Sequence, residues 1–198
     1  MPVKYTITAT VFCLSALLPA PALAADYCTE AWVLRNLILD RLGYCFSSAK
    51  GRMLFDNSDC TGTDPTLSPE ETDTLNFIRG GEEHVGCRIN TATPPTEDMW
   101  QVIAHFAEIS DLPAPDHVGG YACWGYRGPA FELHAGASRN SPIVGTAQPG
   151  QSVVTMYYSY YPDWQFYDIA TGPGGETITS GWASDIDIGD ANCDLVAG

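Results

Sequence analysis

Residues 29–42 read TEAWVLRNLILDRL, and they are flanked by Cys28 on one side and Cys45 on the other. The stretch predicts a helix. Thr29 can cap it, Gly43 can end it in the left-handed region, and Arg41 suits its last turn. Ala31, Trp32, Leu34, Leu37, Ile38, Leu39 and Leu42 spread apolar surface around the helix, so it must pack on more than one face. Arg35 and Asn36 lie in this apolar setting and are expected to bond nearby loop carbonyls. A helix of this length spans about 20 Å at ~1.5 Å per residue. Cys28 and Cys45 therefore cannot approach within the ~7 Å between Cα atoms that a disulfide tolerates.

Downstream, residues 47–67 carry Gly51, Asp56, Asn57, Asp59, Gly62, Asp64 and Pro65, and read as a long loop. Ser68-Pro69-Glu70-Glu71 then opens a second helix with a capping box and proline at its first position. Leu75 and Ile78 mark its buried stripe, and it is expected to stop after Arg79, at Gly80-Gly81. Cys60 precedes this helix and Cys87 follows it. Antiparallel packing of the two helices brings Cys28 to Cys87 and Cys45 to Cys60. The alternative, Cys28–Cys60 with Cys45–Cys87, requires parallel helices or a long detour. Residues 97–110, EDMWQVIAHFAEIS, have the helical spacing of Met99, Trp100, Val102, Ile103, Phe106 and Ile109, with Thr96 as cap. This helix is expected to pack on the first module. His105, near the edge of its apolar face, reads as structural rather than as a metal ligand. The Pro-rich stretch 111–118 is expected to be a linker.

Before these elements come Lys4, an apolar run through Leu18, and Ala22-Leu23-Ala24. Residues 1–24 read as a secretory signal peptide, cleaved before Ala25. The leader holds one of nine basic residues and none of the 24 acidic ones, so the mature charge is 8 − 24 = −16. Such a chain repels nucleic acid and anionic membranes. Export fits the six cysteines that remain after the leader, Cys28, Cys45, Cys60, Cys87, Cys123 and Cys193. The expected location is periplasmic or secreted, with no membrane insertion after cleavage.

From residue 119 to 198 the pattern changes to short strands and turns. Residues 152–158, SVVTMYY, and 164–169 are rich in strand formers, Gly181-Trp182-Ala183 opens a further strand, and Pro149-Gly150, Pro162-Asp163 and Gly172–Gly175 are turns. Close strand spacing predicts a partly open β-barrel. Cys123 and Cys193 lie before and after the strands, and their pairing would tie the ends together. The fold class is α+β: a small disulfide-stapled helical module over 25–110, followed by the barrel over 119–198.

Two resemblances accompany this reading. Arg35-Asn36, then Leu39-Asp40-Arg41-Leu42-Gly43, Tyr44 and Phe46, and later Leu67, Glu71, Leu75, Ile78-Arg79 and Glu82, resemble the YARHG family of extracytoplasmic bacterial modules. Of the five signature positions, Arg41 and Gly43 are identical. That resemblance implies an exported module and no known reaction. Phe131–Ser138, Ile143-Val144-Gly145-Thr146, Pro149-Gly150, Trp164 and Gly181-Trp182 resemble a bacterial SH3-like domain, with His134 where that family has Arg and Ala137 where it has Pro. Such domains often bind cell-wall peptides or protein partners.

The candidate ligand surface is aromatic: Tyr157, Tyr158, Tyr160, Tyr161 and Trp164. Strand alternation lets about half of them face outwards. No catalytic residue, cofactor or metal site is expected. His84, His105, His117 and His134 sit in no catalytic motif, the adjacent pairs Glu70-Glu71 and Glu82-Glu83 read as helix starts and turns, and Asp56-Asn57-Ser58-Asp59 lacks the full loop of an EF-hand. The expected function is a non-catalytic binding or scaffold protein recognising cell-wall peptide or glycan. The alternatives are a protein-interaction or inhibitor module and, last, a Cys-His cell-wall hydrolase.

Overall fold

The computed structural model describes residues 26–198. The leader expected over 1–24 lies outside them. Helix α1 is Tyr27–Arg41. Its cap is Asp26, not Thr29: the Asp26 carboxylate accepts from Thr29 N at 3.1 Å and from Thr29 Oγ1 at 2.9 Å. Gly43 closes the helix with φ of 78°. The expected loop over 47–67 contains a short helix, α2 (Ala49–Leu54), capped by Ser48. The second expected helix is α3, Pro69–Val85, with the Ser68–Glu71 capping box complete. It does not break at Gly80-Gly81 but continues to Gly86, where φ is 78°. The reason is contact: a Cβ at residue 81 would fall 1.9 Å from Tyr27 Oη, so Gly81 lets α1 and α3 approach. Helix α4 is Glu97–His105, shorter than expected, yet Phe106, Ile109 and Leu112 beyond it stay buried.

Arg41 holds the end of α4. Its guanidinium donates to the carbonyls of Ile109 at 2.5 Å, Ser110 at 3.1 Å and Phe106 at 2.9 Å. These carbonyls lie at and just beyond the end of α4, where the chain leaves the helix, and a planar fork of donors can hold all three. Arg35 instead pairs with Glu82 on α3, Nε to Oε2 at 2.9 Å and Nη2 to Oε1 at 3.3 Å, rather than with loop carbonyls. Asn36 turns inward and donates to Trp32 O at 2.6 Å.

The strands are β1 (Ala114–Pro115), β2 (Tyr121–Trp124), β3 (Phe131–His134), β4 (Ile143–Ala147), β5 (Ser152–Thr155), β6 (Tyr157–Tyr158), β7 (Trp164–Ala170), β8 (Thr177–Ser184) and β9 (Leu195–Ala197). Seven of them form one antiparallel sheet in the order β4-β3-β8-β7-β5-β2-β9, and β1 pairs with β6. The sheet has two edges, β4 and β9, and its ladder is not closed into a barrel. The expected continuous strand over 152–158 is split at Met156, which frees Tyr157-Tyr158 to pair with β1.

Within residues 111–118, expected as a linker, Leu112, Pro113, Ala114 and Pro115 are buried, whereas Val118 is exposed. Phe166 and Trp182 of the sheet join the same core cluster as Ala31, Leu34, Ile78 and Phe106 of the helices. Trp182 Nε1 donates to Asp111 O at 2.7 Å, fastening the connecting segment to the sheet. A second cluster, with Leu133, Val153, Tyr167 and Ile169, fills the sheet's other face. Disulfides join Cys28–Cys87, Cys45–Cys60 and Cys123–Cys193, with Cα separations of 5.3, 5.0 and 5.3 Å.

Candidate functional site

Antiparallel alternation sorts the aromatic run. Tyr157 points into the core, where its ring meets Phe106 and Phe166 edge-on and its hydroxyl donates to Glu30 Oε1 at 2.7 Å. It is therefore packed, partly buried, against the helical core and does not line the groove that its aromatic neighbours form. Tyr158, Tyr160, Tyr161 and Trp164 come together around the Pro162-Asp163 turn. With Pro162, Asp163, Tyr167, Asp185 and Ile186 they line a groove of about 690 Å³, within the size range of ligand sites.

The groove's parts are held from several elements. Tyr158 stacks on Phe77 of α3 with centroids 5.0 Å apart and planes at 15°, and Tyr160 lies 5.1 Å from Tyr158. Tyr161 meets Trp182 edge-on at 5.1 Å, and Trp164 meets His134 edge-on at 5.6 Å. Trp164 and Tyr161 thus prop against the core, whereas Tyr158 and Tyr160 belong to neither core cluster. Burial, with nearby charge second, pushes the Tyr160 and Tyr161 hydroxyls above the ordinary phenol value. Burial likewise pushes Tyr167 up to about 12. These phenols stay protonated at neutral pH and present donors as well as ring faces. The sequence marks Asp163 only as part of a turn, and it marks neither Tyr167 nor Asp185 as a groove residue. Their signal was weak: Tyr167 sits in a strand and the two carboxylates sit in turns.

Among the described residues, the non-glycine positions with positive φ are Asp163 at 63° and Asp185 at 61°, and both line this groove. Left-handed backbone disfavours a residue with a Cβ, though Asp tolerates it better than most.

A second concavity of about 530 Å³ lies between the helices and the sheet, lined by Tyr27, Glu30, His105, Tyr157, Asp168 and Glu176 among others. His105 Nε2 is 3.2 Å from Asp168 Oδ1, an ion-pair distance that lies off the line of a good hydrogen bond. Asp168 Oδ1 also accepts from Ser180 Oγ at 2.5 Å. Burial raises the Glu30 carboxyl, aided by Asp168 and opposed by the Tyr157 hydrogen bond. For His105 burial acts downward, but Asp168 and Glu30 outweigh it and raise the imidazole above its usual value. Burial also pushes Asp40 up to about 6, with Asp59 and Asp56 adding to it.

The sign of the pH effect follows. Each of the three groups binds its proton more tightly in the folded state, so each favours folding most at low pH. That stability is lost as pH rises through the raised values, from above the normal carboxylate range to above the normal imidazole value. The thermal midpoint is expected to be higher at pH 5.5 than at pH 8. Glu30→Gln, which keeps the Tyr157 partner without the charge, is expected to flatten that slope. Scanning calorimetry across the range checks both.

Several of the other polar residues read from sequence make structural bonds. Glu71 Oε2 accepts from Ser68 N at 2.7 Å, Glu82 holds Arg35, and Asn57 brackets the backbone of Phe46 through Oδ1 at 3.0 Å and Nδ2 at 2.8 Å. Asp56 accepts from Ser58 N at 2.7 Å and Ser58 Oγ at 2.9 Å, and so turns its own loop. His84 and His117 face each other with centroids 5.3 Å apart. Among the described residues no group of three His, Cys, Asp or Glu side chains is placed to hold a metal. No helix among them is long and apolar enough to cross a membrane.

Residues 5–83 match the YARHG domain, and residues 86–198 match a domain of unknown function, DUF4453. Neither description names a reaction. No curated protein and no solved structure matches the chain. Three disulfides and the YARHG match fit an extracytoplasmic location. The boundary between the two matched segments falls just before Cys87, whose disulfide reaches back to Cys28, so the two segments are covalently joined beyond the chain itself. Over more than half of its length, from residue 86 to its end, the chain belongs to the DUF4453 family.

Proposed function

We propose that this protein is an extracytoplasmic, non-catalytic binding protein that holds an extended segment of cell-wall peptide or glycan in the Tyr158–Trp164 groove. The observation that carries this reading is the convergence of Tyr158, Tyr160, Tyr161 and Trp164 on one concave surface. Flat rings with fixed orientation and protonated hydroxyls suit sugars and peptide backbones alike. The short antiparallel strands and the buried Gly181-Trp182 pair support kinship with SH3-like domains, here with an opened sheet. A Cys-His hydrolase would need a free thiol, and the six cysteines from Cys28 onward are all bridged. A protein partner is the second reading, favoured by the exposure of the Tyr158 ring at the surface.

Tyr160→Ala tests the proposal. Tyr160 lies outside both core clusters, so its loss is expected to leave the melting temperature nearly unchanged. Binding to purified sacculi is expected to weaken by about 1–3 kcal/mol, as for an interface anchor. A large fall in melting temperature, or unchanged binding, would refute it.

A further inference from the structure

The groove has a charged end as well as an aromatic floor. Trp164 on β7 pairs with Ser184 on β8. Asp163 and Asp185 each lie one residue beyond that pair, so two exposed carboxylates flank the open end of the same ladder. Both residues lie beyond the last paired positions of the ladder and hold the left-handed backbone. No lysine or arginine lines the groove. Arg139 reaches Asp185 at 3.1 Å, but both side chains are 75% exposed, so this pair is screened and weak. It does show that a cation can approach this end of the groove from solvent. The whole chain carries a formal charge of −15, which favours approach of cations over anions.

We propose that the occupant of the groove is an extended peptide bearing a lysine-type primary ammonium. The ammonium sits at the Asp163–Asp185 end, and its alkyl stem lies along the faces of Trp164 and Tyr160. This inference rests on the groove being the binding surface. The chemistry is complementary on three counts. The carboxylates take the charge, the ring faces attract a cation and cover its stem, and the phenol donors meet peptide carbonyls. A neutral glycan uses the rings but brings no counter-charge to Asp163, and leaves Asp185 only its exposed pair with Arg139.

The probe is a capped Gly-Ala-Lys-Ala-Gly pentapeptide, compared with the same peptide carrying Nε-acetyl-lysine and with a neutral N-acetylglucosamine oligomer. Each is titrated into the full disulfide-bonded protein while the Trp164 indole is followed by NMR. The lysine peptide is expected to bind about tenfold more tightly than its acetylated form, and added salt should shrink that ratio. Asp163→Asn is expected to abolish the ratio while leaving residual binding. Tyr160→Ala is expected to weaken both peptides. Equal binding of the two peptides, still sensitive to Tyr160→Ala, would overturn the ammonium assignment and leave the groove standing. Preference for the glycan would do the same. No binding of any probe at millimolar concentration, or binding indifferent to Tyr160→Ala, would overturn the assignment together with the groove.

Discussion

Trp182→Ala is expected to cost about 3–5 kcal/mol of stability and to loosen helices and sheet together. Trp182 is fully buried and packs against Phe166 at 5.5 Å and Tyr161 at 5.1 Å. Its indole N–H also fixes the Asp111 carbonyl. Removing it opens a cavity in the cluster that the helices and the sheet share, and takes the donor from the half-buried Asp111 carbonyl. Urea unfolding read by far-ultraviolet circular dichroism and by tryptophan fluorescence checks this. Coincident transitions, both shifted to lower urea, are expected. A helical signal that survives the loss of the sheet would mean that the two matched segments fold independently.

Replacing Cys123 and Cys193 together by Ala is expected to cost about 4 kcal/mol in the chain-entropy account, because the bridge closes a loop of 70 residues. Both cysteines are buried in the sheet's second cluster, with Cys123 on β2 and Cys193 just before β9. The loss should fall on the β2–β9 edge, where Trp124 pairs with Leu195, and on the Arg127 contact to the Cys193 carbonyl. Hydrogen exchange is expected to show faster opening at residues 121–124 and 195–197 than at β7 and β8. Uniform protection across the sheet would contradict that distribution. Non-reducing peptide mapping of the native protein checks the three bridges themselves.

Local rules carried the helices a long way. The Ser68–Glu71 capping box and the left-handed Gly43 are short-range features, and both are present in the structure. What failed required knowledge of neighbours. Gly80-Gly81 reads as a stop, yet Gly81 is where α3 passes the Tyr27 hydroxyl, a contact spanning more than fifty residues of chain. Helix α2 has six residues, one of them Gly51, and is surrounded by turn formers, so its periodicity is too short to read. The Pro-rich stretch 111–118 has a linker's composition, but Leu112, Pro113 and Ala114 within it are buried.

The same division applies to the groove. The density of aromatics in residues 157–164 was legible, as was the rule that alternate residues turn inward. Which ones turn was decided by the two-residue pairing of β6 with β1, which sends Tyr157 to Glu30 and Tyr158 to Phe77. Phe77 on α3 and Asp185 beyond β8 reach the groove from distant parts of the sequence, and nothing local marks them. The Glu30, Tyr157, His105 and Asp168 cluster is likewise drawn from α1, β6, α4 and β7 and is visible only once these are packed.

The central claim is that the aromatic groove, and not the acidic concavity between helices and sheet, is the binding surface. Amide and indole chemical-shift mapping of the mature protein, titrated with soluble wall fragments, tests it most directly. The account predicts shifts concentrated at residues 158–167 and 183–186, with the Trp164 indole among the most affected. Shifts centred on Glu30, His105 and Glu176, with the Trp164 indole unmoved, would contradict it.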